Sequence, residues 1–151
     1  MPEAATQFQS TALLELSRDV VRINGIVNHP DVRPLIGEVE FGDVDMSPFV
    51  EVDQHWFLMG EHGGFAALWR APAVYEIHTF ILKTGRGRWA RNAAFEALTY
   101  ASIHGAQMLF TLVPYERPEV ELFTTMMGFK PTGQDVPLMG VPHMVYKLGA
   151  I

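Results

Sequence analysis

The sequence predicts an α+β fold: a mixed, mainly antiparallel central sheet flanked by helices, with one parallel strand pair. Three observations predict it. Tyr75, Ile77, Thr79 and Ile81 alternate with Glu76, His78, Phe80 and Leu82, and β-branched and aromatic residues dominate, as a strand prefers. After Gly85 and Gly87 the period changes, and Trp89, Ala90, Ala93, Ala94, Ala97, Leu98 and Ala101 recur at helical spacing until Gly105. A second apolar run, 107–113, closes at Pro114. The helix therefore joins two strands, which a right-handed crossover makes parallel.

The remaining elements follow in chain order. Met1 to Gln9 reads as frayed chain or an edge strand. From Thr11 to Val27 the chain is helical in part, dense in Leu13, Leu14, Leu16, Val20, Val21 and Ile23, and Asn24-Gly25 ends the pattern. Pro30 at a first helical position, with Asp31 in the first turn, predicts one short helix, limited by Pro34 and Gly37. Residues 38–52 are acidic and irregular, with a short helix at 47–50. Two strands, 55–59 and 64–70, flank a glycine hairpin turn at 60–64 and complete an antiparallel meander with the strand at Tyr75. Pro118 starts a helix that runs to Met127. Glu119 and Glu121 occupy its first turn, where the helix dipole favours acids, and Gly128 caps it. A short strand at 129–132, a loop at 134–142 and a last strand at 143–148 finish the chain.

Composition sets the class. The chain has 151 residues, 48% of them hydrophobic and 19% charged, which is one domain with a real core and not a disordered chain. No apolar run approaches the ~20 residues that span a membrane. The start of the chain lacks the basic and apolar segments of a signal peptide, so a cytoplasmic location is expected. Zero cysteines exclude disulfides, thiolate metal sites and a cysteine nucleophile. The histidines show no metal spacing, so no metal is assigned. A net charge of −6 disfavours broad nucleic-acid binding.

Against that acidic background the turn before the central helix is basic. Lys83, Arg86, Arg88 and Arg91 crowd the helix start, and the first acid after them is Glu96. A helix N-terminus prefers Asp or Glu by ~0.3–1 kcal/mol per charge, so four cations there conflict with the dipole. A bound anion relieves the conflict: exposed N–H groups, glycines and a dipole end make a phosphate site. The bland alternative is a solvated basic turn.

The order of elements, the Arg86-Gly87-Arg88 turn with its helix, and the passage from Leu112 through the short helix to Gly128-Phe129 together resemble the GCN5-related N-acetyltransferase (GNAT) superfamily. Residues 28–37, 76–78 and 86–90 are similar to acetyltransferase-like proteins carried by tailed bacteriophages. The resemblance covers most of the chain. It implies acetyl-coenzyme A as cofactor, lying where two parallel strands splay apart. The pyrophosphate would then sit at Thr84, Gly85, Arg86, Gly87, Arg88, Trp89 and Ala90, and the pantetheine arm beside Ile77 to Leu82, with Phe80, Ile81 and Leu82 as cofactor-binding residues. The reaction implied is acetyl transfer to an amine of a small molecule or protein, needing a base, an oxyanion donor and an acid for the thiolate. The family's tyrosine acid falls at Thr124 and its asparagine at Arg117, which is expected as a further cofactor-binding residue. Tyr115, at the end of its strand, is the candidate substitute acid. These replacements motivate the alternative of a degenerate fold serving as a phage accessory or host-protein-binding module.

Two residues suit the base. Glu76 and His78 share one strand face roughly 6.5–7 Å apart, close enough to work through one water. His78 is the candidate base, with Glu76 orienting it or replacing it. A hydrogen-bonded histidine on a half-buried strand is the equal alternative. The acids at Glu38, Glu40, Asp43, Asp45, Glu51 and Asp53 form either a solvated surface or a lip for a cationic acceptor. Neither a membrane nor nucleic acid is expected as a partner, and a homodimer is left open.

Overall fold

A computed structural model describes residues 12–149. The frayed chain or edge strand expected at Met1 to Gln9 lies outside that range. Seven strands form one sheet in the order β1-β2-β3-β4-β5-β7-β6. They are β1 (Glu15–Leu16), β2 (Trp56–Gly60), β3 (Gly63–Ala71), β4 (Val74–Ile81), β5 (Met108–Pro114), β6 (Lys130–Leu138) and β7 (Val141–Gly149). Every neighbouring pair is antiparallel except β4 and β5, which are parallel. Helix α3 (Arg88–Ile103) makes the crossover between them.

Strand alternation sorts the core into two layers. On one face α3 lays Ala90, Ala93, Ala94, Ala97 and Ala101 against Phe65, Ile77, Leu109 and Tyr146, and α4 (Pro118–Met126) adds Val120 and Phe123. Alanines expose only methyl groups, so α3 sits close to the sheet. On the other face α1 (Val20–Val27) buries Ile23 and Val27 against Phe57, Met59, Leu68 and Phe80. Asp19 caps α1 by accepting the Arg22 N–H at 3.1 Å. Glu96, on α3, accepts the backbone N–H groups of Leu13 and Leu14 at 2.9 and 3.0 Å and so anchors the first described residues.

Three expectations differ from the structure. Leu13, Leu14 and Leu16 are not helical; Glu15–Leu16 pairs with β2, and the helix starts only after the Asp19 cap. The helix expected from Pro30 is a 3-10 turn at Arg33–Leu35, with a second such turn at Val39–Phe41 and a short helix, α2, at Ser47–Val50. The loop expected at 134–142 is a hairpin. β6 lies at the sheet edge, where Pro131 and Pro137 withhold no needed donor, and a register shift between Pro131 and Asp135 takes up Gly133 at φ +81°. No helix among the described residues is long and apolar enough to cross a membrane.

Residues 33–42 are held by one buried cation. The Arg33 guanidinium donates to the carbonyls of Gly42 (2.9 Å), Ile36 (2.6 Å) and Glu38 (2.7 Å). The Glu38 N–H then donates to the Met139 carbonyl at 3.0 Å, which docks this loop on the β6–β7 turn. A Cβ on Gly37 would collide with Met139, so the loop closes there only with glycine.

Candidate active site

The parallel pair parts early. β4 meets β5 only at Val74–Met108, Tyr75–Leu109 and Glu76–Phe110. Yet β4 stays paired with β3 as far as Ile81, and β5 with β7 as far as Pro114. At the fork Thr111 Oγ1 donates to the Ile77 carbonyl at 2.7 Å, a side chain standing in for the next ladder bond. Beyond it the β5-facing edge of β4 borders a cleft of about 430 Å³. Because the cleft passes through the sheet, residues of both faces line it. Thr79, Ile81 and Thr111 face the α3 side with Ala90, Phe123 and Thr124. His78, Phe80, Leu112, Leu138 and His143 face the α1 side.

The tip of α3 forms one end of the cleft. Gly87, the residue before the helix, has φ +110°, a conformation other residues rarely adopt. No side chain caps the helix, and its first turn holds no acid. Among the described residues no acceptor meets the N–H groups of Arg88, Trp89 or Ala90. Arg88 and Arg91 line the cleft and form no ion pair among the described residues. The other two cations are engaged. Arg86 lines the cleft but donates through Nη2 to the Asp31 carbonyl at 2.7 Å. The Lys83 N–H donates to Asp31 Oδ2 at 2.9 Å, and its Nζ lies 4.0 Å from Oδ1. That N–H bond holds the Asp31 carboxyl below the usual range, with the His29, Lys83 and Arg86 charges adding against desolvation.

Four expected cofactor residues turn the other way, because His62 fills the opposite side of the turn. Thr84 Oγ1 pairs with His62 Nδ1 at 2.9 Å. A Cβ on Gly85 would collide with His62, and the Trp89 ring meets the His62 ring edge-on at 5.0 Å. Leu82 packs with the α1-side core. Gly85 therefore makes room for a histidine, while Gly87 supplies the turn at the cleft. Of the expected set, Phe80, Ile81, Arg86, Gly87, Arg88 and Ala90 line the cleft.

Glu76 and His78 form part of a chain of three. Glu76 is 6% exposed at the fork of the strands. Arg70 donates to its Oε1 through Nε at 2.9 Å, with Nη2 2.7 Å from the same oxygen, and its Oε2 pairs with His78 Nε2. Burial opposes ionisation of Glu76, but the hydrogen bonds and charges of His78 and Arg70 outweigh it and hold the carboxyl below the usual glutamate range. An ionised Glu76 accepts from His78 Nε2–H, which leaves Nδ1 as the lone-pair nitrogen of the ring. The arrangement fits Glu76 as the group that orients His78, and a depressed carboxyl is the poorer base.

The acid candidates stand differently. Tyr115 is exposed and lies outside the cleft wall; its hydroxyl bonds the Asp135 carboxylate, which with burial and that charge pushes the phenol up. Thr124 lines the cleft but donates to the Val120 carbonyl of its own helix at 2.8 Å. Arg117 precedes α4 and lies outside the wall, with Nη2 3.4 Å from the Pro34 carbonyl. None of the acids between Glu38 and Asp53 lines the cleft wall. Asp45 instead accepts from Ser47 and Asn24.

His143 escaped the sequence reading. It is 1% exposed, pairs with Pro114 across the sheet and lines the cleft on the same side as His78. Its Nδ1 donates to the Val141 carbonyl at 2.7 Å, which fixes the tautomer. Burial pushes its pKa down, against the Val141 bond and with the His78 charge adding. Every sealed polar side-chain atom among the described residues has a partner, and Nε2 has none among them, so Nε2 is not sealed from the cleft that His143 lines. The only sequence signal was the β7 alternation, which requires knowing that 134–142 is a hairpin.

No family model and no curated protein matches the chain. Solved structures do. An IAA acetyltransferase from Bacillus cereus ATCC 14579 superimposes with a TM-score of 0.62 at 12% identity, covering 90% of this chain and 97% of its own. Mutant forms of the spermidine/spermine N-acetyltransferase SpeG from Vibrio cholerae give 0.67 at 14%, covering 89% and 91%. A probable acetyltransferase of the GNAT family from Chromobacterium violaceum ATCC 12472 gives 0.65 at 14%, covering 89% and 81%. At these identities the likeness is one of fold: a seven-stranded mixed sheet with one parallel pair, flanked by helices, in the GNAT arrangement.

Proposed function

We propose that the chain is a single acyltransferase domain that moves an acetyl group from acetyl-coenzyme A to an amine, in the cytoplasm. One observation carries the reading: a cleft opens through the sheet between two parted parallel strands and ends at an uncapped, cation-lined helix tip. The donors present suit the cofactor. Free N–H groups of Arg88 and Ala90, with the Arg88 and Arg91 side chains, match a pyrophosphate, and the unpaired edge of β4 matches an amide-bearing arm. Arg86 acts one step back, by fixing the Asp31 loop.

Bound acetyl-coenzyme A supplies the acetyl group as a thioester. The chain's own groups do the proton work. His78 takes the proton of the attacking amine at Nδ1 while Glu76 holds Nε2–H and stabilises the cation that forms. Arg70 keeps Glu76 ionised in its buried place. This is the division of labour of a base, an orienting carboxylate and a counter-ion.

One specific observation favours a second reading, a catalytically degenerate fold acting as a phage accessory or host-binding module. Both candidate acids are otherwise engaged, Thr124 by Val120 and Tyr115 by Asp135. Calorimetry with coenzyme A separates the two. Saturable binding that weakens in Arg88→Ala/Arg91→Ala supports the enzyme; no heat at millimolar coenzyme A removes it. If coenzyme A binds, acetyl-transfer rates in a host lysate should fall at least tenfold in His78→Ala.

A further inference from the structure

We propose that the acceptor of this chain is a primary amine bearing an apolar substituent, not a polyamine, because of how the α1-side chamber of the cleft is lined. The proposal deepens the acetyl-transfer reading and rests on it. Strand alternation separates the two chambers. The α3-side chamber holds the helix tip with Arg88 and Arg91, and α4. The opposite chamber is walled by Leu35, Ile36, Leu112, Pro114 and Leu138, with His78 and His143 as its polar groups. Leu138 pairs with Val141 and Val136 with His143, so Leu138 and His143 are diagonal neighbours on one face of the hairpin.

This wall is built and not incidental. Arg33 fixes the carbonyls on either side of Gly37, and the Glu38 N–H docks the loop on Met139, which sets Leu35 and Ile36 opposite Leu138. Charge then selects the occupant. Among the described residues one carboxylate lines the cleft, that of Glu119 on α4, against Arg86, Arg88 and Arg91. Glu76 is already matched by Arg70 and His78. A chain of ammonium groups finds no counter-ions in the α1-side chamber and loses its hydration there. An amine with one nitrogen and an apolar tail buries the tail against the leucines and places the nitrogen between two histidines. Nε2 of His143 accepts a hydrogen bond from it while Nδ1 of His78 takes its proton.

The test uses 2-phenylethylamine and spermidine as probes, titrated at pH 8 into the full chain and followed by the histidine ring signals in NMR. The expected result is at least tenfold tighter binding of 2-phenylethylamine, with shifts at both His78 and His143, the latter assigned through His143→Gln. Leu138→Glu should weaken 2-phenylethylamine at least fivefold and strengthen spermidine. Leu35→Ala, which adds no charge, should weaken 2-phenylethylamine without strengthening spermidine. Spermidine binding as tightly as 2-phenylethylamine, binding of neither, or shifts that spare His143 would overturn the proposal. A separate coenzyme A titration judges the acetyl-transfer reading: amine binding without coenzyme A binding removes that reading and leaves the chamber.

Discussion

Replacing Arg70 with methionine should unsettle the fork of the sheet through Glu76. The arginine gives one charge-assisted hydrogen bond at 2.9 Å to a carboxylate oxygen, and a second guanidinium nitrogen lies 2.7 Å from the same oxygen. Stripping a partner from a buried ion costs ~3–5 kcal/mol, whereas an exposed pair is worth ~0–1 kcal/mol. The Glu76 side chain is 9% exposed and that of Arg70 46%, so the loss should fall between, at about 2 kcal/mol. For a chain of this length that is a fall in Tm of roughly 4–8 °C. The effect must depend on pH. The folded carboxyl of Glu76 is depressed below its ordinary 4.5, so its stabilisation is complete above that value and is lost as pH falls through the folded pKa. Urea denaturation from pH 7 down to pH 3.5 checks this, with Glu76→Gln and the double variant completing a cycle. The wild-type advantage should shrink toward the acid end, and the two single losses should not add. A loss under about 0.5 kcal/mol at pH 7, or one equally large at pH 3.5, would refute the argument.

Three further outcomes are expected. Exchanging Arg88 and Arg91 together for glutamate should weaken coenzyme A at least thirtyfold by calorimetry but pantetheine, which lacks the phosphates, less than threefold. Gly87→Val puts a branched side chain at φ +110° and should cost about 1–3 kcal/mol in denaturant titration even though open space surrounds its Cβ. His143 has a folded pKa below its ordinary 6.5, so it adds stability above 6.5 that is lost on acidification; His143→Gln should flatten the stability curve below pH 6.5, leaving the share of His55, whose pKa burial and the Arg70 and Arg18 charges also lower.

The central part of the fold was legible because its signals are local. The period change between Tyr75 and Ala101 needs no tertiary information, and α3 and β4 lie within a residue or two of their expected bounds. The parallel pairing followed from the crossover. What failed depended on position in the sheet. Pro137 read as loop, and only the edge position of β6 makes it tolerable in a strand. The leucines at 13, 14 and 16 read as helix, and only Glu96 and β2 draw that segment out. The basic turn was visible as charge, but which cations stay free was not: Asp31, 52 positions before Lys83, claims two of them. The same holds for Gly85, whose neighbour His62 comes from the β2–β3 turn. His143 was invisible, since its face depends on a hairpin that the sequence hides.

The alanine seam of α3 turns the helix into a lever. At ~1.5 Å per residue its sixteen residues reach about 24 Å, from the cleft back to the start of β4 and β5, and five methyl groups set its height along the way. An extra methylene beneath Ala101 lifts one end and tips the other, so the N–H groups at Arg88 to Ala90 would swing without any residue near them changing. Adjusting this pocket is thus open to substitutions far from it, and a library confined to the cleft lining would overlook them.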